Sequence, residues 1–317
     1  MSAATATLVP MRDAWGEGLK TLGAEYPDLL VLDGDLANST KADIFADAFP
    51  DRFLELGIAE QNLVGVAAGL ATLGFVPWIS TFAAFLAKRA LDQIRIVVAQ
   101  PHLNVKLCGS YSGILTGKTG KTHQSVEDLA IFRAMPGMVT IAPVDANELL
   151  GAMRAMMEHD GPVYLRLTRD PSPLIFPEDH RFEIGKATLL RDGADIGIIS
   201  TGVQTIRALE AAELLAARGV SASVLHVPTL KPLDIEAIVA IAERTGALVA
   251  TEDHSIIGGL GGAVAETLAE HLPTRMARVG WRDTYGESGA NDALLEKYGL
   301  SAHHVATAAT SLLAKKR

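Results

Sequence analysis

Glu60 is the residue in this sequence best placed to do chemistry. It opens the run EQNLVGVAAGLATLGF (60–75), with Gln61 and Asn62 beside it and small, apolar residues after them. A carboxylate in the first turn of a helix ordinarily answers the helix dipole and the free N–H groups there. This helix, however, has apolar residues on every face (Leu63, Val64, Val66, Ala67, Leu70), so it reads as buried. A buried carboxylate costs several kcal/mol unless it is paired or kept protonated. Burial raises its proton affinity, and such a group can trade a proton near neutral pH. On these grounds capping and catalysis both stay open for Glu60.

Two further groups carry chemical potential. In STFAAFLAK (80–88), Phe82 and Phe85 stand three apart at a strand-to-helix turn. They read as core packing or as a platform for a flat heteroaromatic ring. SYSGILTGKTGKTHQSVED (110–128) is a glycine-rich polar loop holding Tyr111, Thr119 and His123. Ligands of α/β proteins bind at loops beyond the carboxyl ends of parallel strands. A histidine in such a loop suits acid/base work or contact with a substrate hydroxyl. No second His, Cys or carboxylate cluster joins it, so no metal site is expected in this chain. GLGGAV (259–264) precedes a helix but lacks the dinucleotide spacing, and it reads as close helix packing. No nucleophile elbow is present.

The elements that must position these residues alternate. Strands are expected at 29–34, 77–81, 104–107, 139–142 and 163–167, with helices at 59–73, 84–98, 125–132 and 145–158. Asp145 reads as an N-cap with Glu148 as its capping-box partner. Near 170 a proline-rich, charged stretch breaks the pattern. Beyond it strands are expected at 196–200, 222–227, 247–251 and 276–280, with helices at 203–217, 234–244 and 259–271. The fold class is therefore α/β, with two parallel-sheet domains at 1–170 and 186–317 and a linker at 171–185.

Composition agrees. The chain has 317 residues, 49% hydrophobic and 21% charged, which is globular and long enough for two cores. A net charge of −9 argues against a nucleic-acid partner. A single cysteine fits a reducing cytoplasm. The N-terminus lacks the apolar core of a secretory signal, and no apolar run is long enough to span a membrane.

GIAEQN (57–62), GLATLGFVPWISTFAAF (69–85), RALDQIR (89–95), GKTHQSVEDLAIFRAMPGM (120–138), EDHSIIGGLGGAVAE (252–266) and YGESGANDALLEKYGL (285–300) together resemble the C-terminal half of transketolase. The likeness runs through nearly the whole chain, in order, and is closest to split transketolases in which this half is a separate polypeptide. It implies a pyrimidine-binding domain followed by a transketolase C-terminal domain. It also implies thiamine diphosphate as cofactor, with a divalent metal (Mg2+ or Ca2+) held by the partner. The family's diphosphate and metal motif, G-D-G…N, is missing: LDGDLAN (32–38) has G-D-L. The resemblance thus calls for an N-terminal-half partner subunit, in an α2β2 heterotetramer.

The resemblance also gives roles to residues. Glu60 falls on the glutamate that hydrogen-bonds the aminopyrimidine N1′, and Phe82 and Phe85 on aromatics flanking that ring. Asp35 and Ile58 fall near the cofactor's rings. His123 falls on the histidine that contacts the donor's C1 hydroxyl and carbonyl. Arg12, Ser39 and Arg169 fall on sugar-phosphate ligands, for which a planar, always charged guanidinium is suited. The pattern departs at three positions. Lys88 replaces an aromatic, Thr119 a sugar-reading aspartate, and Tyr111 a histidine that binds phosphate and hydroxyl. The last two changes lie in the substrate-reading loop and imply an unusual ketose or aldehyde. Deoxyxylulose-phosphate synthase and the β subunit of 2-oxo-acid dehydrogenases are alternatives within the superfamily, and a scaffold subunit without catalysis is the alternative outside it. The C-terminal domain is expected to serve mainly as a dimer contact.

Overall fold

A computed structural model describes residues 7–314. The start of the N-terminal stretch read above as lacking a leader lies outside the described residues. The strands are β1 (Leu8–Pro10), β2 (Leu29–Asp33), β3 (Phe53–Glu55), β4 (Val76–Phe82), β5 (Lys106–Ser110), β6 (Val139–Ile141), β7 (Val163–Arg166), β8 (Pro171–Pro173), β9 (Thr188–Arg191), β10 (Ile196–Ser200), β11 (Ala222–His226), β12 (Thr229–Lys231), β13 (Ala247–Ser255) and β14 (Arg275–Trp281).

They form two main sheets. The first has the order β12-β6-β7-β5-β4-β2-β3 and the second β14-β13-β10-β11-β9. Within each sheet only the edge strands β12 and β9 are antiparallel. Central strands such as β2 (LLVLD) and β10 (IGIIS) are buried along their whole length, as strands covered by helices on both faces must be. Helix Glu60–Thr72 lays Leu63, Val64, Ala67 and Ala68 on the first sheet. On the other face helix Met11–Glu25 buries Trp15 against Trp78, with ring centroids 5.5 Å apart.

Several elements differ from the expectations. The stretch 84–98 is not one helix: Ala83–Arg89 and Leu91–Gln93 are followed by a π-helix at Ile94–Ala99. The strand expected at 104–107 is displaced to Lys106–Ser110, so a buried lysine and a Cys-Gly-Ser end occupy the sheet centre. Lys106 is tolerated because its ammonium donates to the carbonyls of His159 (2.7 Å) and Gly161 (3.0 Å). Within the proline-rich stretch after 170, β8 pairs antiparallel with β1. From the second half, β12 joins the edge of the first sheet. Asp145 does cap helix Ala146–Glu158, accepting from Glu148 N at 2.8 Å, but the Glu148 carboxylate reaches the amide of Val144 rather than that of the cap. Among the described residues no helix is long and apolar enough to cross a membrane.

Candidate active site

Parallel strands that lie side by side release their loops at one edge. In the first sheet β7, β5, β4, β2 and β3 are consecutive neighbours and parallel. Their carboxyl ends therefore gather residues far apart in sequence: Arg169 after β7, Tyr111 after β5, Phe82 at the end of β4, Asp35 after β2, and Glu60 after β3.

Glu60 is the first residue of its helix, and its side chain is fully buried. The buried carboxylate is paired. Arg89 Nη1 lies 2.7 Å from both carboxylate oxygens, while its own side chain stays 45% exposed. Pairing, one of the two conditions that burial required, is thus met within the chain. Arg89 also sits over the Phe85 ring, 4.6 Å from its centroid. Sequence reasoning missed Arg89, because 29 residues separate it from Glu60 and it closes a different helix.

One expectation about this helix needs correction. It is not enclosed on every side: Gln61, Asn62, Gly65, Gly69 and Thr72 are exposed. A Cβ added at Gly65 or Gly69 would meet nothing within 4 Å. The apolar residues cover one broad face, and the small residues leave the other smooth and open. Ile58, just before the helix, is 71% exposed.

The two phenylalanines do not form a parallel pair. Phe82 ends β4 and caps the following helix, so its ring tilts 33° from that of Phe85 at 5.7 Å. Phe82 stacks instead on Tyr111, with centroids 4.1 Å apart and planes at 23°. His123 meets both phenylalanines in edge-type contacts, with centroids at 5.8 and 5.3 Å, while its Nδ1 pairs with the Thr122 hydroxyl at 2.8 Å. Phe82, Phe85, Tyr111 and His123 are therefore one aromatic cluster. Beside it the hydroxyl of Thr81 is buried without a hydrogen-bond partner.

Arg12, Ser39, Tyr111 and Arg169 also converge. Arg12 Nη1 donates to the Tyr111 hydroxyl (3.1 Å) and to the Ser39 carbonyl (3.3 Å), to which Tyr111 also donates (3.4 Å). Arg169 stands over the Tyr111 ring, 5.4 Å from its centroid, and pairs with Asp170 at 2.9 Å. Contact with Tyr111 and then Asp170 pushes its pKa up. Arg169 Nε is buried with no hydrogen-bond partner, a donor suited to an anion, whereas Arg12 Nε lies 3.7 Å from the Asp13 carboxylate. Tyr111 adopts φ +58° to fill this position, a conformation that bulky residues rarely hold without a functional or packing reason.

The remaining residues stand apart. Thr119 turns back on its own loop, donating to the Thr116 carbonyl at 2.7 Å, so it does not join the arginines. Asp35 is exposed at φ +62°, its amide donating to Glu55 at 2.9 Å. Lys88, where an aromatic was expected, pairs with Glu127 at 2.7 Å. The GLGGAV helix start is filled by its own protein: Leu260 N and Gly261 N donate to the Glu252 carboxylate at 2.7 and 2.8 Å.

The residues 8–173 match the family description "Transketolase, pyrimidine binding domain", and 185–305 match "Transketolase, C-terminal domain". The chain belongs to the transketolase family. It is 44% identical over 96% of its length to the 6-deoxy-6-sulfo-D-fructose transketolase subunit SqwH of Clostridium sp. (strain MSTE9), covering 95% of that protein. It is 46% identical over 93% of its length to a putative transketolase C-terminal section of Methanocaldococcus jannaschii, covering 94% of it. Its fold superimposes on a split-gene transketolase solved as an inactive beta4 tetramer with a TM-score of 0.91, at 47% identity, covering 98% of this chain and 100% of the other. The chain is thus a transketolase-type transferase subunit of the split form, carrying the pyrimidine-binding and C-terminal domains as one polypeptide.

Proposed function

We propose that this chain supplies the pyrimidine-binding and substrate-reading half of a cytoplasmic, two-chain transketolase that moves a two-carbon ketol unit from a ketose phosphate to an aldehyde. The convergence of Glu60, the aromatic cluster and the two arginines at one sheet edge carries this reading. The partner is an N-terminal-half subunit that holds the diphosphate and a divalent metal (Mg2+ or Ca2+), in an α2β2 assembly. The open face of the Glu60 helix supports a partner there, since Gly65 and Gly69 let another backbone approach closely.

The residues present fit the pyrimidine end of thiamine diphosphate: a buried carboxylate, an aromatic wall and an unpartnered buried hydroxyl on Thr81. When bound, thiamine diphosphate supplies a carbon nucleophile that carries the ketol unit. In this reading Glu60 hydrogen-bonds the pyrimidine ring nitrogen and exchanges a proton with it. Its helix keeps water from that contact, while Arg89 holds the carboxylate in place until then. Phe82 and Phe85 orient the ring, with Ile58 and Asp35 at its margin. His123 holds the donor's hydroxyl and carbonyl oxygens. Arg12, Ser39 and Arg169 take the anionic end of the sugar, with their positions fixed through Tyr111. The name of the Clostridium relative specifies a ketose with an anionic sulfo end. A ketose with an anion at its far end, other than the ordinary pentose phosphates, suits the Tyr111 and Thr119 substitutions.

The test is reconstitution. Ketol transfer is expected only when this chain is mixed with its N-terminal-half partner, in a complex of mass near two copies of each. Full activity of this chain alone would overturn the reading. High activity on xylulose 5-phosphate with ribose 5-phosphate would overturn the altered-substrate part of it.

A further inference from the structure

The loop that carries Tyr111, Thr119 and His123 is clamped by the C-terminal domain. A Cβ on Gly113 would stand 1.9 Å from Asp253 Oδ2, one on Gly117 2.6 Å from both Asn291 Oδ1 and the Gly289 carbonyl, and one on Gly120 2.5 Å from Ser288 Oγ. Close approach therefore favours glycine at Gly113 and Gly117, while the left-handed backbone, φ +67° at Gly113 and +74° at Gly120, favours it at Gly113 and Gly120; all three face the same partner domain. Hydrogen bonds accompany the contacts: Ile114 N donates to Asp253 at 3.0 Å, Gly289 N to the Gly117 carbonyl at 3.1 Å, and Gln124 Nε2 to the Glu287 carbonyl at 3.0 Å.

One side chain in this clamp reaches further. Asn291 Oδ1 accepts from Gly117 N at 3.0 Å, and its Nδ2 donates to the Asp170 carboxylate and, at 3.5 Å, toward the Leu115 carbonyl. The amide can face only this way, because the opposite orientation would set its oxygen against a carboxylate and its NH2 against an N–H group. Asp170 in turn holds Arg169. Asn291 therefore joins the substrate-reading loop to the arginine at the end of β7.

We propose that Asn291 of the C-terminal domain is a positioning residue for the anion-binding end of the substrate site, fixing the 115–117 turn and, through Asp170, Arg169. This gives the C-terminal domain a part in substrate selection beyond dimer contact. The inference rests on the reading of Arg169 as an anion ligand given above.

The experiment compares wild type, Asn291→Ala and Asn291→Asp in the reconstituted two-chain complex, by hydrogen exchange and by kinetics. Asn291→Asp keeps the acceptor for Gly117 but sets a carboxylate against Asp170. Exchange in peptides covering 114–120 should rise about tenfold in Asn291→Ala and stay near wild type in Asn291→Asp. With hydroxypyruvate as donor, both variants should raise KM for glyceraldehyde 3-phosphate about tenfold, with kcat and the KM for unphosphorylated glyceraldehyde within twofold. Equal losses on both acceptors, or wild-type constants throughout, would overturn the positioning role. If the wild-type complex transfers no ketol unit, the reading of Arg169 fails separately and the exchange data alone decide: unchanged exchange at 114–120 in Asn291→Ala overturns the clamp.

Discussion

Replacing Asp253 by Asn should make the protein more stable, and more so at high pH than at low. Asp253 sits fully buried on β13, where both carboxylate oxygens accept from the Ile114 amide, at 3.0 and 3.2 Å. Burial, opposed by the charge of Arg166, raises its pKa from 3.8 to about 6. The folded state therefore holds this proton more tightly than the unfolded chain. Stability is lost as pH rises from about 4 through 6 and is level above. Linkage puts the cost at roughly 2 kcal/mol at pH 5 and about 3 kcal/mol at pH 8. An asparagine keeps an oxygen for Ile114 and never ionises. The stability advantage of Asp253→Asn over wild type should thus grow by about 1 kcal/mol between pH 5 and pH 8. Urea titrations followed by circular dichroism at the two pH values measure that difference directly. A difference between the proteins that is constant, or that shrinks with pH, would show that Asp253 is already ionised at no cost and refute the argument.

Two other substitutions test the site and its surroundings. Tyr111→Phe removes one of the two acceptors of Arg12 Nη1 while leaving the stack on Phe82. A loss of about 1 kcal/mol predicts roughly fivefold higher KM for a phosphorylated substrate with little change in kcat, and an equal loss on an unphosphorylated one would contradict it. Gly259→Ala would put a Cβ 2.0 Å from Glu252 Oε2 and displace the carboxylate that caps helix Leu260–His271. Two buried N–H groups would lose their acceptor, so about 2–4 kcal/mol of stability should disappear, read by urea midpoint. A change below about 0.5 kcal/mol would mean the helix start is not held by Glu252.

The sequence showed the alternation of strands and helices because the central strands are short, apolar and bounded by turns. What it hid was mostly non-local. Helix Met11–Glu25 carries Gly16, Gly18 and Gly23, which spoil its helical signature. Each glycine is there for contact: a Cβ would stand 2.4 Å from the Lys41 carbonyl at Gly16 and 2.6 Å from the Phe45 ring at Gly23. The joining of β12 to the first sheet is a tertiary choice that local pattern does not record. The candidate site residues were drawn from contiguous strings, but the company they keep was not legible there. Arg89 beside Glu60, Tyr111 on Phe82 and Asn291 on Asp170 each join segments that periodicity cannot relate. The open face of the Glu60 helix was misread because glycine and alanine count as apolar whether they pack on a core or await a neighbour.

In the proposed function one buried carboxylate, Glu60, faces the cofactor's pyrimidine ring. The measurement that tests it is the turnover of the reconstituted complex with Glu60→Gln, its assembly checked by mass. The side chain keeps its size and a hydrogen-bonding end but cannot exchange the proton, so kcat should fall by about 100-fold or more with the complex intact. Turnover within twofold of wild type would contradict the claim and leave Glu60 as a structural partner of Arg89.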